Sequence, residues 1–128
     1  MQRVLQFDSD EDFLKLSKVV LSDVGGFDLY QCRSRGQILG LISQVRPELL
    51  LIDVSRADTE KQESLLDLLF WLESLGRIPT IYLTTCADPI LIRLLKVQGA
   101  LAVLPKPLDI TKLPSEINTR LRPGPMMH

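Results

Sequence analysis

Short apolar runs alternate with longer amphipathic segments five times along the chain, which predicts an α/β fold with a doubly wound, five-stranded parallel sheet. Two further observations support this. Leu49-Leu50-Leu51-Ile52 is a continuous aliphatic run bounded by Pro47 and Asp53, as suits a strand buried on both faces. The segments between such runs carry apolar residues at helical spacing, and Gly or Pro marks most of the joints. Strand-helix-strand units of this kind cross over right-handed and place helices on both faces of the sheet.

Val4-Leu5-Gln6-Phe7 is the first expected strand, ending in the acids Asp8, Asp10, Glu11 and Asp12. A helix is predicted from about Asp10 to Val24, with Phe13, Leu16, Val20 and Val24 as its apolar stripe and Gly25-Gly26 as its stop. Ser9-x-x-Asp12 resembles a capping box with Asp in place of the usual Glu. Asp28 to Arg33 is the second strand, and Ile38, Leu41, Ile42 and Val45 share one face of the helix after it. The third strand precedes a helix over residues 60–75, lined by Leu65, Leu68, Leu69 and Leu72. Thr80 to Leu83 is the fourth strand, Pro89 opens the next helix in its first turn, and Gly99 closes it. Leu101 to Leu104 is the fifth strand, and a last helix runs to about Leu121, starting late enough to hold Pro114 in its first turn. One domain over residues 1–122 and a disordered tail at 123–128 are expected.

Composition excludes several classes. With 45% apolar and 24% charged residues in 128, the chain is long and apolar enough for one core. Fifteen Lys plus Arg against sixteen Asp plus Glu leave a net charge of −1, which argues against direct nucleic-acid binding. Cys32 and Cys86 form no zinc spacing or disulfide framework and suit a reducing compartment. No signal peptide and no membrane-length apolar run are evident, so a cytoplasmic protein without membrane contact is expected.

In an open parallel sheet the reactive crevice lies beyond the carboxyl ends of the strands. There the sequence places Asp8, Asp53, Thr84 with Thr85, and Pro105-Lys106-Pro107. Each alone has an ordinary explanation, as a helix cap or a solvated loop lysine. Together at one edge they suit phosphoryl chemistry. Two carboxylates offer hard oxygens to Mg²⁺, a carboxylate can attack phosphorus, and a lysine and a hydroxyl can neutralise phosphoryl oxygens.

With these residues in view, the chain resembles a response-regulator receiver domain of two-component signalling, of the single-domain type and flavodoxin-like fold. The matching residues are Asp8, Leu50-Leu51-Ile52-Asp53, Leu83-Thr84, Gly99-Ala100 and Lys106-Pro107, spread over about residues 3–121. The resemblance implies that Asp53 accepts a phosphoryl group from a histidine kinase or phosphotransfer protein and that signalling proceeds by altered protein contacts. It implies Mg²⁺ held by Asp8, Asp53 and the backbone carbonyl of Ser55, with Thr84 and Lys106 on the phosphoryl group. It also implies a cis Lys106–Pro107 bond and a phosphoprotein that is not itself an enzyme.

Four departures stand against that pattern. Ser9 replaces the usual second acid, which weakens the expected hold on Mg²⁺, and Asp10, one residue along a helix start, points elsewhere. Val103 replaces the usual aromatic ring. Val54-Ser55-Arg56 is less hydrophobic than the usual turn, and Pro105 stands where a small or polar residue is more common. The alternative is therefore a degenerate receiver, acting as an interaction or dimerisation module without phosphorylation. A flavin protein is disfavoured, because Asp8-Ser9-Asp10-Glu11-Asp12 would repel a phosphate and no Gly-rich loop is present.

Residues 90–97 are apolar on nearly every face. Either the 89–121 face forms a homodimer or partner contact, or neighbouring helices half-bury the surplus. Phe70 and Trp71 pose the same choice. No DNA-binding or enzymatic segment follows residue 121, so output through protein contact is expected if the chain is complete.

Overall fold

The computed structural model describes residues 2–55, 62–86 and 88–121. Strand β1 (Arg3–Phe7) leads into helix α1 (Glu11–Ser17), which continues as a π-helical segment over Lys18–Val24. Next come β2 (Asp28–Cys32), α2 (Ile38–Val45), β3 (Leu49–Val54) and α3 (Gln62–Ser74). The remainder is β4 (Thr80–Thr84), α4 (Pro89–Val97), β5 (Ala102–Pro105) and α5 (Leu113–Leu121). The five strands form one sheet in the order β2-β1-β3-β4-β5, parallel at every pairing. The expected doubly wound architecture is thus present. The expected tail at 123–128, and Arg56 in the turn after β3, lie outside the described residues.

Side chains alternate along each strand, so the sheet supports two cores. Leu5, Phe7, Leu50, Ile52, Val54 and Tyr82 pack on one face against Ile38, Leu68, Leu72, Leu91 and Leu95 from α2, α3 and α4. Val4, Leu49, Leu51, Ile81, Leu83 and Ala102 pack on the other against Leu21 of the π segment and Leu113 and Ile117 of α5. Of the expected stripes, Ile38, Leu41 and Ile42 of α2 and Leu68 and Leu72 of α3 join the first core, with Leu75 just beyond α3, while Val45, Leu65 and Leu69 are half-buried.

The stripe of α1 differs. Leu14, Ser17 and Leu21 are buried, whereas Leu16 and Val24 face solvent, Val24 at 79% exposure. The face that packs on the sheet is already set in α1, where Leu14 and Ser17 turn inward, Ser17 bonded to the buried Gln6, and Leu16 turns out. The π-helical stretch follows, Gly25 N–H reaching back to the Val20 carbonyl, and it keeps Leu21 on the buried face with Val24 outside. The cap differs too. Asp10, not a Ser9–Asp12 box, takes the N-cap, its carboxylate accepting from the N–H groups of Asp12 and Phe13.

Helix α4 begins with Asp88 as N-cap and Pro89 in its first turn, and the left-handed φ of 90° at Gly99 turns the chain into β5. Its apolar surplus divides. Leu91 and Leu95 are buried, Ile92 and Leu94 half-buried, and Ile90 and Val97 exposed. Phe70 is 68% exposed, while Trp71 turns inward, edge-on to Phe7 and beneath the guanidinium of Arg35. Helix α5 starts at Leu113 after a 3₁₀ turn, with Pro114 in its first turn as expected. Among the described residues no helix is long and apolar enough to cross a membrane.

Candidate functional site

The same alternation that builds the two cores also assembles the site. Along β1, Val4 and Gln6 face α1, and two residues later so does Asp8. Along β3, Leu49 and Leu51 lead in the same way to Asp53. Along β5, Ala102 and Leu104 lead to Lys106. Three side chains from three strands therefore arrive on one face at the carboxyl edge of the sheet. The sequence reading put Asp53 and Thr84 just past their strands. Both instead sit within them, because β3 and β4 stay paired through Asp53 with Leu83 and Val54 with Thr84.

The Lys106 ammonium lies between the two carboxylates. Its Nζ donates to Asp8 Oδ2 at 2.6 Å and to Asp53 Oδ1 at 3.0 Å. Asp8 is 1% exposed, and its second oxygen accepts from the Asp10 N–H at 2.9 Å. Burial opposes the charge on Lys106, but its hydrogen bonds to Asp8 and Asp53 outweigh it and hold its pKa above the ordinary lysine value. The Lys106 N–H donates to the Thr84 carbonyl at 2.8 Å, which fixes the turn after β5 against β4. The Lys106–Pro107 bond is cis.

Thr84 lines up with Tyr82, and its hydroxyl accepts from the Cys86 N–H at 3.0 Å. Ser55 is exposed one residue beyond β3. Ser9 is exposed and the Asp10 carboxylate caps α1, so among the described residues neither brings a third acid to Asp8 and Asp53. Among the described residues no group of three or more His, Cys, Asp or Glu is placed to hold a metal. Two carboxylates at a sheet edge still fit Mg²⁺, which is often held by one or two carboxylates together with substrate phosphate oxygens.

Two features escaped the sequence reading. Phe13, counted there only as one of an apolar stripe, has its ring centroid 4.4 Å from Lys106 Nζ. Gln6, fully buried, donates to Ser17 Oγ at 2.9 Å and accepts from Gln31 Nε2 at 2.8 Å. Gln31 Nε2 also reaches the Leu14 carbonyl at 2.8 Å, tying β1 and β2 to α1. A signal existed for Gln6, a lone amide inside an apolar run. For Phe13 the signal is only its distance from the cap.

No protein-family model and no curated protein matches this sequence. Solved structures match its fold. A CheY-like response regulator receiver domain protein from Methanospirillum hungatei JF-1 has a TM-score of 0.76 at 21% identity, covering 94% of each chain. A two-component response regulator from Clostridium difficile has a TM-score of 0.76 at 19% identity, covering 96% of this chain and 98% of its own. A response regulator from Desulfuromonas acetoxidans has a TM-score of 0.73 at 24% identity, covering 94% and 97%. With the parallel sheet order and the strand-end acids and lysine in place, this chain has the fold of the CheY-like response regulator receiver domains.

Proposed function

We propose that the chain is a signalling receiver that accepts a phosphoryl group on Asp53. The observation that carries this reading is the Lys106 ammonium bridging Asp53 and the buried Asp8. A carboxylate so placed can attack phosphorus, and a cation stands ready where phosphoryl charge would develop. An Asp53 oxygen forms the new P–O bond as the P–N bond of a phosphohistidine donor breaks, its electron pair leaving with the imidazole. The product is an acyl phosphate. Lys106 neutralises the phosphoryl oxygens. The Thr84 hydroxyl, although it accepts from Cys86, keeps its own proton to donate. Asp8, Asp53 and the Ser55 carbonyl would hold Mg²⁺, which when bound supplies further charge neutralisation at the phosphoryl oxygens.

The donor under this reading is a histidine kinase or phosphotransfer protein, and output passes through protein contacts. Exposed Ile90 and Val97 favour the 89–121 face for a homodimer, and the near-neutral charge disfavours nucleic acid. A cytoplasmic location fits this partnership. Val103, half-buried beside Tyr82 in the β4–β5 pairing, offers no ring to reorient, so any signal leaves the site by another route.

One observation favours the second reading, a phosphorylation-independent interaction module. Asp10 caps α1, and among the described residues no third acid stands beside Asp8 and Asp53 to hold the metal. Intact mass after incubation with acetyl phosphate and Mg²⁺ separates the two. A gain of about 80 Da, the mass of one phosphoryl group, that needs Mg²⁺ and vanishes in Asp53→Asn establishes the acceptor. No gain in the natural protein but a gain in Ser9→Asp establishes the module. No gain in either overturns the assignment of the site.

A further inference from the structure

We infer that Phe13 is a positioning residue for Lys106, its ring holding the ammonium over the two carboxylates. An ammonium has three N–H donors and no other means of orientation on a flexible four-carbon stem. Here Asp8 Oδ2 and Asp53 Oδ1 engage it at 2.6 and 3.0 Å, and the Phe13 ring covers it at 4.4 Å. The negative face of an aromatic ring attracts a cation, and does so more strongly where water is excluded. The lysine side chain is only 13% exposed, so this contact lies in that stronger regime.

The placement of the ring follows from the acid it serves. Asp8 Oδ1 accepts from the Asp10 N–H, and Asp10 in turn accepts from the Phe13 N–H. One oxygen of Asp8 thus organises the turn that presents Phe13, while its other oxygen binds Lys106. Asp8, Asp10, Phe13 and Lys106 form a closed circuit of contacts. An aromatic face adds attraction for the ammonium without adding a third carboxylate to the pair already there.

The effect on phosphoryl uptake rests on the proposed function, whereas the holding of Lys106 does not. Replacing Phe13 in the full chain by 4-fluoro-, 3,5-difluoro- and 3,4,5-trifluorophenylalanine withdraws charge from the ring face with little change in shape. Two quantities are read along the series. One is NMR order at the Lys106 ε-methylene in the unphosphorylated, Mg²⁺-free protein. The other is the rate of mass gain from acetyl phosphate.

Order at Lys106 is expected to fall step by step, and the rate by roughly 3- to 10-fold at the trifluoro ring, within the range of a desolvated cation–π contact. Phe13→Tyr is expected to keep both, and Phe13→Leu to lose both. Unchanged Lys106 order across the fluorinated series overturns the inference and leaves Phe13 as packing alone. A natural protein that takes up no phosphoryl group defeats the proposed function. The order measurement still decides the role of Phe13.

Discussion

The two faces of the sheet solve different problems with similar numbers of strand residues. The face against α2, α3 and α4 is built mainly on aliphatic side chains, with Leu50, Ile52, Val54, Leu68, Leu91 and Leu95 all fully buried and Phe7, Tyr82 and two cysteines beside them. The face against α1 and α5 carries the buried amide of Gln6, the hydroxyl of Ser17 and the carboxylate of Asp8 within or beside its core. The polar face bears the Asp8–Lys106–Asp53 cluster, whereas Thr84 follows Tyr82 along β4. Hydrogen bonds on the polar face fix direction as well as proximity, so the strand that ends in Asp8 is held to the helix that begins with Asp10. The aliphatic face needs only volume and shape.

That contrast can be broken from either side. Ile52→Ala leaves a cavity in the centre of the aliphatic face and is expected to cost about 3–4 kcal/mol, read as a lower urea midpoint. The site geometry should survive, so phosphoryl uptake in the folded fraction should be unchanged. A variant that stayed folded but took up nothing would show that the two faces are coupled.

Tyr82 carries a titratable hydroxyl on the aliphatic face. Burial pushes its pKa up to about 12, against a partial offset from Thr80. A folded-state pKa raised above the unfolded value of ~10 gives stability that is full below pH ~10 and is lost as pH rises through about 12. At about 1.4 kcal/mol per unit the loss is on the order of 2–3 kcal/mol. Tyr82→Phe should remove that part of the alkaline slope. Lys106, whose pKa is also raised, loses its contribution in the same direction, so a residual alkaline slope should persist in Tyr82→Phe and shrink in a further Lys106→Met.

On the polar face, Gln6→Leu preserves bulk but strips Ser17 and Gln31 of a partner, at an expected cost of about 1–3 kcal/mol. Its signature should be faster amide exchange in α1 and at Asp8. Equal exchange everywhere would make Gln6 no more than filler. The smallest effect is expected outside both cores. Phe70→Ser on the exposed side of α3 should shift thermal stability by no more than about 0.5 kcal/mol.

The strand-helix alternation, the aliphatic run before Asp53 and the Gly and Pro at the joints were readable from sequence because each is a local pattern. So was the convergence of Asp8, Asp53 and Lys106, since parallel topology brings strand ends to one edge. Local patterns could not give the register of α1. The buried face runs through Leu14, Ser17 and Leu21, one residue round from the expected stripe, and it buries a serine while the apolar Leu16 and Val24 face solvent. Nor could sequence choose between Ser9 and Asp10 as the cap, because a one-residue shift of helix start exchanges their roles.

The identity of the site's charged groups was therefore determined by the sequence, through topology and the two-residue period of strands. Their partners were decided by tertiary structure alone. Phe13 meets Lys106 and Gln6 meets Ser17 and Gln31 across separations of many residues, and such contacts depend on helix phase, which propensity and periodicity leave free.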